Sequence, residues 1–266
     1  MKKICTLVIG IIGLLQLTSC SQDTETKQLA ATEKLPADSS KTEEWFPEYE
    51  FDTLRGLYSG DFGDGFINIF LTYVNNKKAI GYNIHKGLQR NINGDVVQNK
   101  DGFELTLNEP GDNPYDGVFV LNISKKDFSV TGTWTAKDPA IKTKKFKLKK
   151  QEMKEPLDGK SFYDGGPLTE SNFLETFGYS TLDGGNIRFE ENGLAIFTYY
   201  PDEQKHQQLE TIKASWRFEN EKTLIIEWAK NTKFKERNMT FKLQQQKDEV
   251  PSFQGPNGLS LDIEYY

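Results

Sequence analysis

From residue 54 onward the chain carries short stretches of alternating apolar and polar positions, each bounded by Gly, Asn or Asp. That is the pattern of strands joined in hairpins and buried on one face. Eight such runs predict strands at 56–62, 66–73, 78–85, 88–97, 103–107, 118–123, 128–135 and 143–149. The last is the clearest. Phe146 and Leu148 alternate with Lys145, Lys147 and Lys149, so one face meets a core and the other meets water. Eight sequential antiparallel strands close into a small up-and-down barrel, whose interior either fills with side chains or holds one small ligand.

The stretch 151–156 is a polar junction, and the alternation restarts at Leu157. A short helix is expected over 168–177, with Glu170 near its N-terminus and an incomplete capping signal. Strands follow at 186–190, 194–200, 209–218, 223–228, 234–243 and 259–265. Ile212, Ala214, Trp216 and Phe218 share one face, as do Leu224, Ile226 and Trp228. The expected fold class is therefore all-β, with two tandem antiparallel domains at 51–150 and 157–266. The strand count in the second falls short of eight, which leaves a closed barrel and a partly open sheet both open.

Composition agrees with this and narrows the function. Hydrophobic residues make up 36% of the 266 residues and aromatics 12%, a balance suited to small ring-filled β cores rather than a doubly wound α/β enzyme. The net charge of −6 argues against nucleic acid as a partner. Lys2 and Lys3 precede an apolar run at 4–17 that is shorter than the roughly 20 residues of a spanning helix, so 1–19 reads as a secretory leader. Leu17-Thr18-Ser19-Cys20 closes it. This tetrapeptide resembles the bacterial lipobox, which implies removal of the leader and lipidation of Cys20. A lipid anchor would then hold the protein in the cell envelope, on the outer membrane of a Gram-negative bacterium, with surface export open. Residues 20–50 would be the lipidated cysteine and its tether, polar and too poor in apolar residues to fold alone. The cysteines are Cys5 and Cys20, so the folded part has no thiol for a disulfide, a metal or a nucleophile.

Gly56-Leu57-Tyr58-Ser59-Gly60, Ala79-Ile80-Gly81-Tyr82, Gly102-Phe103-Glu104-Leu105, Asp116-Gly117-Val118-Phe119 and Thr131-Gly132-Thr133-Trp134 place glycines and rings at strand positions. Together they resemble small barrels of the streptavidin and lipocalin kind over residues 54–150. The stretch from Asn186 to Trp228 resembles the lipocalin-like domains of other secreted bacterial lipoproteins. The resemblance implies architecture and no particular ligand: a lipocalin's Gly-x-Trp appears here as Gly56-x-Tyr58, and no complete biotin-binding motif is present.

No complete catalytic set emerges. His85 and His206 are the only histidines and read as surface residues, so a histidine triad or multi-histidine zinc site lacks its parts. Paired acids such as Glu104 with Glu109, or Glu190 with Glu227, have the residue type a glycosidase needs, without sequence evidence of position. The runs 61–65 and 111–116 offer oxygen ligands but read as turns, and no metal or cofactor is implied. Lys142, Lys144, Lys145, Lys147, Lys149, Lys150 and Lys154 read as a solvated strand that could also meet an anionic surface. The remaining candidates are aromatic. Trp134 is expected to point inward with Gly132 leaving room beside it, and Tyr58 and Tyr82 are expected to join it in one ligand-binding wall. The expected function is a non-catalytic binding module for a small molecule, glycan or protein. The alternatives are an interaction protein, such as an inhibitor of an envelope-targeting enzyme, and a carboxylate hydrolase.

Overall fold

The computed structural model describes residues 48–151, 162, 168–202, 208–245 and 250–263. Cys20, the expected tether up to residue 47, the junction at 152–156 and His206 lie outside them, while residues 48–50 of the expected tether belong to a helix. The described chain forms two closed eight-stranded antiparallel barrels, each a simple meander in which strands adjacent in sequence are adjacent in space.

The first barrel comprises β1 (Gly56–Asp61), β2 (Phe66–Val74), β3 (Lys78–His85), β4 (Leu88–Gln98), β5 (Gly102–Asn108), β6 (Gly117–Ser124), β7 (Val130–Ala136) and β8 (Lys144–Lys150). Alternation carries Ile69, Leu71, Ile92, Leu105, Leu107 and Leu121 into its core. A short helix, α1 (Glu48–Asp52), closes one end, where the Phe51 ring packs edge-on against Phe103 at 5.5 Å. Closure is made by β1 against β8, with Tyr58 opposite Lys150 and Ser59 opposite Lys149. The Gln151 N–H donates to the Leu57 carbonyl beside this seam.

Helix α2 (Glu170–Phe177) leads into the second barrel: β9 (Tyr179–Leu182), β10 (Gly185–Phe189), β11 (Leu194–Tyr199), β12 (Glu210–Asn220), β13 (Thr223–Trp228), β14 (Asn238–Gln244), β15 (Ser252–Gln254) and β16 (Ser260–Ile263). The two strands beyond the sequence-based count are β9 and β15, of four and three residues, too short to display an alternation. They complete the ring, with β9 pairing both β10 and β16. The helix is capped at Thr169, whose hydroxyl accepts the Asn172 N–H while the Asn172 side chain accepts the Thr169 N–H. Asn172 thus does what Glu or Gln does in the common capping box. Helix α2 delivers Phe173 and Phe177 into a core of rings, with Phe173 at 5.2 Å from Trp216 and 5.1 Å from Phe189. Trp228, fully buried, stacks on Phe234 at 4.6 Å.

The barrels form one compact unit. The outer face of β2 carries Phe66 and Asn68 toward the second barrel. Asn68 Nδ2 donates to the Trp216 and Gly193 carbonyls at 2.9 and 3.2 Å. Phe66 N–H donates to Glu227 at 3.3 Å, and the Gly87 N–H donates to the Ser215 hydroxyl at 2.9 Å. Arg217 spans the boundary, pairing with Asp61 at 3.0 Å while its guanidinium lies 4.8 Å from the Phe66 ring centre. Gly87, in the β3–β4 turn at φ +71°, sits where a Cβ would come within 2.6 Å of the Lys213 carbonyl. Neither the backbone conformation nor the space suits a larger residue.

Candidate functional site

The end of the first barrel opposite α1 holds a pocket of about 430 Å³, within the range of small-molecule sites. Its floor is aromatic. Phe62, just beyond β1, packs edge-on against Trp134 at 5.9 Å and against Phe146 at 5.3 Å, and Phe119 lies 6.4 Å from Trp134. Leu88 and Tyr115 stand on the rim, 51% and 62% exposed. A larger groove of about 790 Å³ runs beside Phe70, Phe128 and Leu174, between the barrels. The mouth pocket is the stronger candidate because its polar side chains converge through hydrogen bonds inside a barrel.

That convergence centres on Glu109, buried just past β5. Its carboxyl oxygens accept from Asn83 Nδ2 at 2.8 Å, the Gly117 N–H at 2.7 Å and Trp134 Nε1 at 3.1 Å. Arg90, on the inward face of β4, approaches Glu109 at 3.8 Å and Asp116 at 3.4 Å. Asp116 accepts in turn from the Asn113 N–H. Four strands, β3, β4, β6 and β7, are thereby tied around one carboxyl group, and the indole of Trp134 is held in a fixed orientation.

On the other side of the mouth, His85 Nδ1 lies 2.7 Å from the Phe66 carbonyl, which makes Nδ1 the protonated nitrogen and leaves Nε2 as an acceptor in the neutral ring. Burial pulls the His85 pKa below the ordinary histidine value, with Lys86 and Lys144 adding to the effect and the Phe66 carbonyl opposing it. Lys144 Nζ sits 4.3 Å from the centre of the Phe62 ring and donates to the Phe62 carbonyl at 3.2 Å. Lys86 bonds Asp64 on the outer side of the rim. The arrangement combines ring faces, a neutral imidazole acceptor and cationic donors, which equips it to hold an amphipathic small molecule.

The three aromatic candidates fall in three places. Trp134 lines the pocket. Tyr58 is buried at the α1 end, its hydroxyl donating to the Leu54 carbonyl at 2.9 Å, so it belongs to the same core but not to the pocket. Tyr82 lies on the outer face of β3, opposite Phe70 and in alternation with buried Ala79, Gly81 and Asn83. The expected single wall therefore does not form. The space above Gly132 is occupied as well, since a Cβ there would meet the Phe146 ring at 2.5 Å.

The acid pairs separate too. Glu104 is exposed on the outer face of β5 while Glu109 is buried. Glu190 pairs with Arg188 at 2.8 Å, and Glu227 is buried against Phe66. His85, expected at the surface, is half buried in the pocket wall. Lys144 departs from the solvated-strand reading in the same way, whereas Lys145, Lys147 and Lys149 are exposed as expected. Among the described residues no group of three or more His, Cys, Asp or Glu side chains could hold a metal ion. No protein-family model, no curated protein and no solved structure matches this chain.

Proposed function

We propose that the protein is a lipid-anchored envelope lipoprotein whose first barrel is a non-catalytic binding module for a small molecule, taken up at the barrel mouth. The observation that carries this reading is the combination in one 430 Å³ pocket of an aromatic floor and a buried, fully bonded carboxyl that locks Trp134 in place. A pocket wall held by such a network is prepared before a ligand arrives, which lowers the ordering cost of binding. The leader and Cys20 support the anchor, and among the described residues no helix is long and apolar enough to cross a membrane.

Two measurements test the reading. A fragment screen by nuclear magnetic resonance should shift the Trp134 indole and Asn83 amide signals, with Trp134→Phe weakening binding while the fold is retained. A screen that leaves those signals unmoved removes the pocket as a site. Metabolic labelling with a fatty acid should mark the wild-type protein and not Cys20→Ala, and an unlabelled wild type rejects the anchor.

A further inference from the structure

Resting on the reading of the mouth as a ligand site, we infer that its ligand is a small carboxylate carried on a flat apolar body, with the carboxylate held by Lys144 and the body lying against Phe62, Phe119 and Trp134. The charge inventory of the pocket leads there. Its carboxyl group is occupied: Glu109 takes three N–H donors, and neighbouring Asp116 takes the Asn113 N–H and faces Arg90. A cationic ligand would find both carboxyl groups already bonded and three cations, Lys86, Arg90 and Lys144, around the opening.

Lys144 is the group left short. Alternation places it on the inward face of β8 with Phe146 and Leu148, and its side chain is 33% exposed. Its nearest carboxylate among the described residues, Asp64, stands 3.9 Å away, is 70% exposed and is already bonded by Lys86. The one hydrogen bond Lys144 makes among the described residues is to the Phe62 carbonyl, a neutral acceptor. Two of its three N–H groups thus lack an acceptor there, above a ring that supplies only a weak attraction. A half-buried ammonium without a full counter-charge is costly, and burial accordingly pulls its pKa below the ordinary lysine value. An arriving carboxylate would supply the missing charge and a two-oxygen acceptor, while its apolar body left water for the ring-lined floor. Arg90 is less suited to this role because Asp116 and Glu109 already flank its guanidinium.

Isothermal calorimetry on the mature protein with 2-naphthoate and 2-naphthylmethanol separates charge from shape, since the two differ only in the head group. The carboxylate should bind about tenfold tighter or more, the scale of one charge-assisted hydrogen bond. Lys144→Met should erase that preference, Lys144→Arg should restore most of it, and Lys145→Met on the solvated face should leave it unchanged. Equal binding of the two compounds, or a preference that survives Lys144→Met, overturns the assignment. If neither compound binds while neutral fragments shift the Trp134 indole signal, the pocket reading stands and the anion assignment falls. If nothing shifts that signal, both fall.

Discussion

The two barrels share strand number, connectivity and closure, yet they spend their aromatic residues differently. In the second barrel the rings meet one another. Phe173, delivered by α2, lies within 6 Å of Phe177, Phe189, Trp216, Phe218 and Phe253, and Trp228 donates its indole N–H to Met239 Sδ. In the first barrel aliphatic side chains fill the middle, Phe51, Tyr58 and Phe103 pack at the α1 end, and Phe62, Phe119, Trp134 and Phe146 gather at the other end around an opening. The polar groups divide in the same way. The Glu109 network turns inward to shape a pocket, whereas Glu227 and Ser215 of the second barrel turn outward to meet its neighbour. One topology thus leaves an open, polar-lined pocket in the first barrel and encloses a ring-filled core in the second. What decides is which polar residues occupy inward positions.

Matched substitutions of tryptophan test that contrast most sharply. Trp228→Ala should cost about 3–5 kcal/mol, the range for removing a fully buried ring, and calorimetric melting should show it. Glu109→Leu is expected to cost about 3 kcal/mol in the first barrel, because three buried N–H donors lose their acceptor together. If that variant is as stable as the wild type, the network is dispensable and the contrast fails. Trp134→Phe should cost less, about 1–3 kcal/mol, since the aromatic body remains and only one donor to Glu109 is lost. At the boundary, Gly87→Val forces strained backbone and a clash with Lys213, so about 1–3 kcal/mol is expected together with separate melting of the two barrels. A single cooperative transition in that variant would show that the turn is not what couples them.

The smallest expected effect is on the pH profile. Burial raises the Glu227 pKa, partly offset by the Phe66 N–H, Lys86 and Arg237. The native state therefore holds this proton more tightly than the unfolded chain does. Its contribution to stability is complete below the ordinary carboxylate range and is lost as pH rises through the native value. Glu227→Gln keeps an oxygen for the Phe66 N–H and should be more stable than wild type at neutral pH, with a flatter acid-to-neutral profile in urea titrations. His85 acts in the opposite sense. Its lowered pKa means stability that is present above the ordinary histidine value and is lost as pH falls through the native one, so His85→Gln should reduce acid sensitivity below about pH 6.5.

Most strands were legible because a period-two alternation sustained over six or more residues is what a strand buried on one face produces and a helix does not. Run 78–85 matches β3 and run 223–228 matches β13, end for end. The misses were β9 and β15, where three or four residues carry no period and pairing comes from their neighbours. The expected strand at 234–243 began early because Phe234 is a loop residue stacked on Trp228, and β14 starts at Asn238. Trp134 was found at the site because its inward parity is visible in the sequence. The same parity, applied to polar residues, would have found others. Asn83 and His85 continue the inward series from Ala79 and Gly81, Glu109 continues that of Leu105 and Leu107, and Lys144 that of Phe146 and Leu148. A polar residue on the buried face at a strand end was the signal. Tyr82 failed the same rule, since its parity is that of exposed Ile80.

The seam between β1 and β8 gives the pocket a place in time. Every other pairing in this barrel joins strands that are neighbours in sequence, so hairpins can form early with little loop to close. The seam joins Tyr58 to Lys150 across nearly the whole barrel and pairs at two positions only among the described residues. Phe62 follows one of these strands and Lys144 begins the other, and the bond between them crosses the seam at the mouth. Contact order alone would then favour assembling the site late, after the hairpins. An opening of the seam would part Lys144 from Phe62 and undo that wall of the pocket while the hairpin pairings of the sheet can still hold.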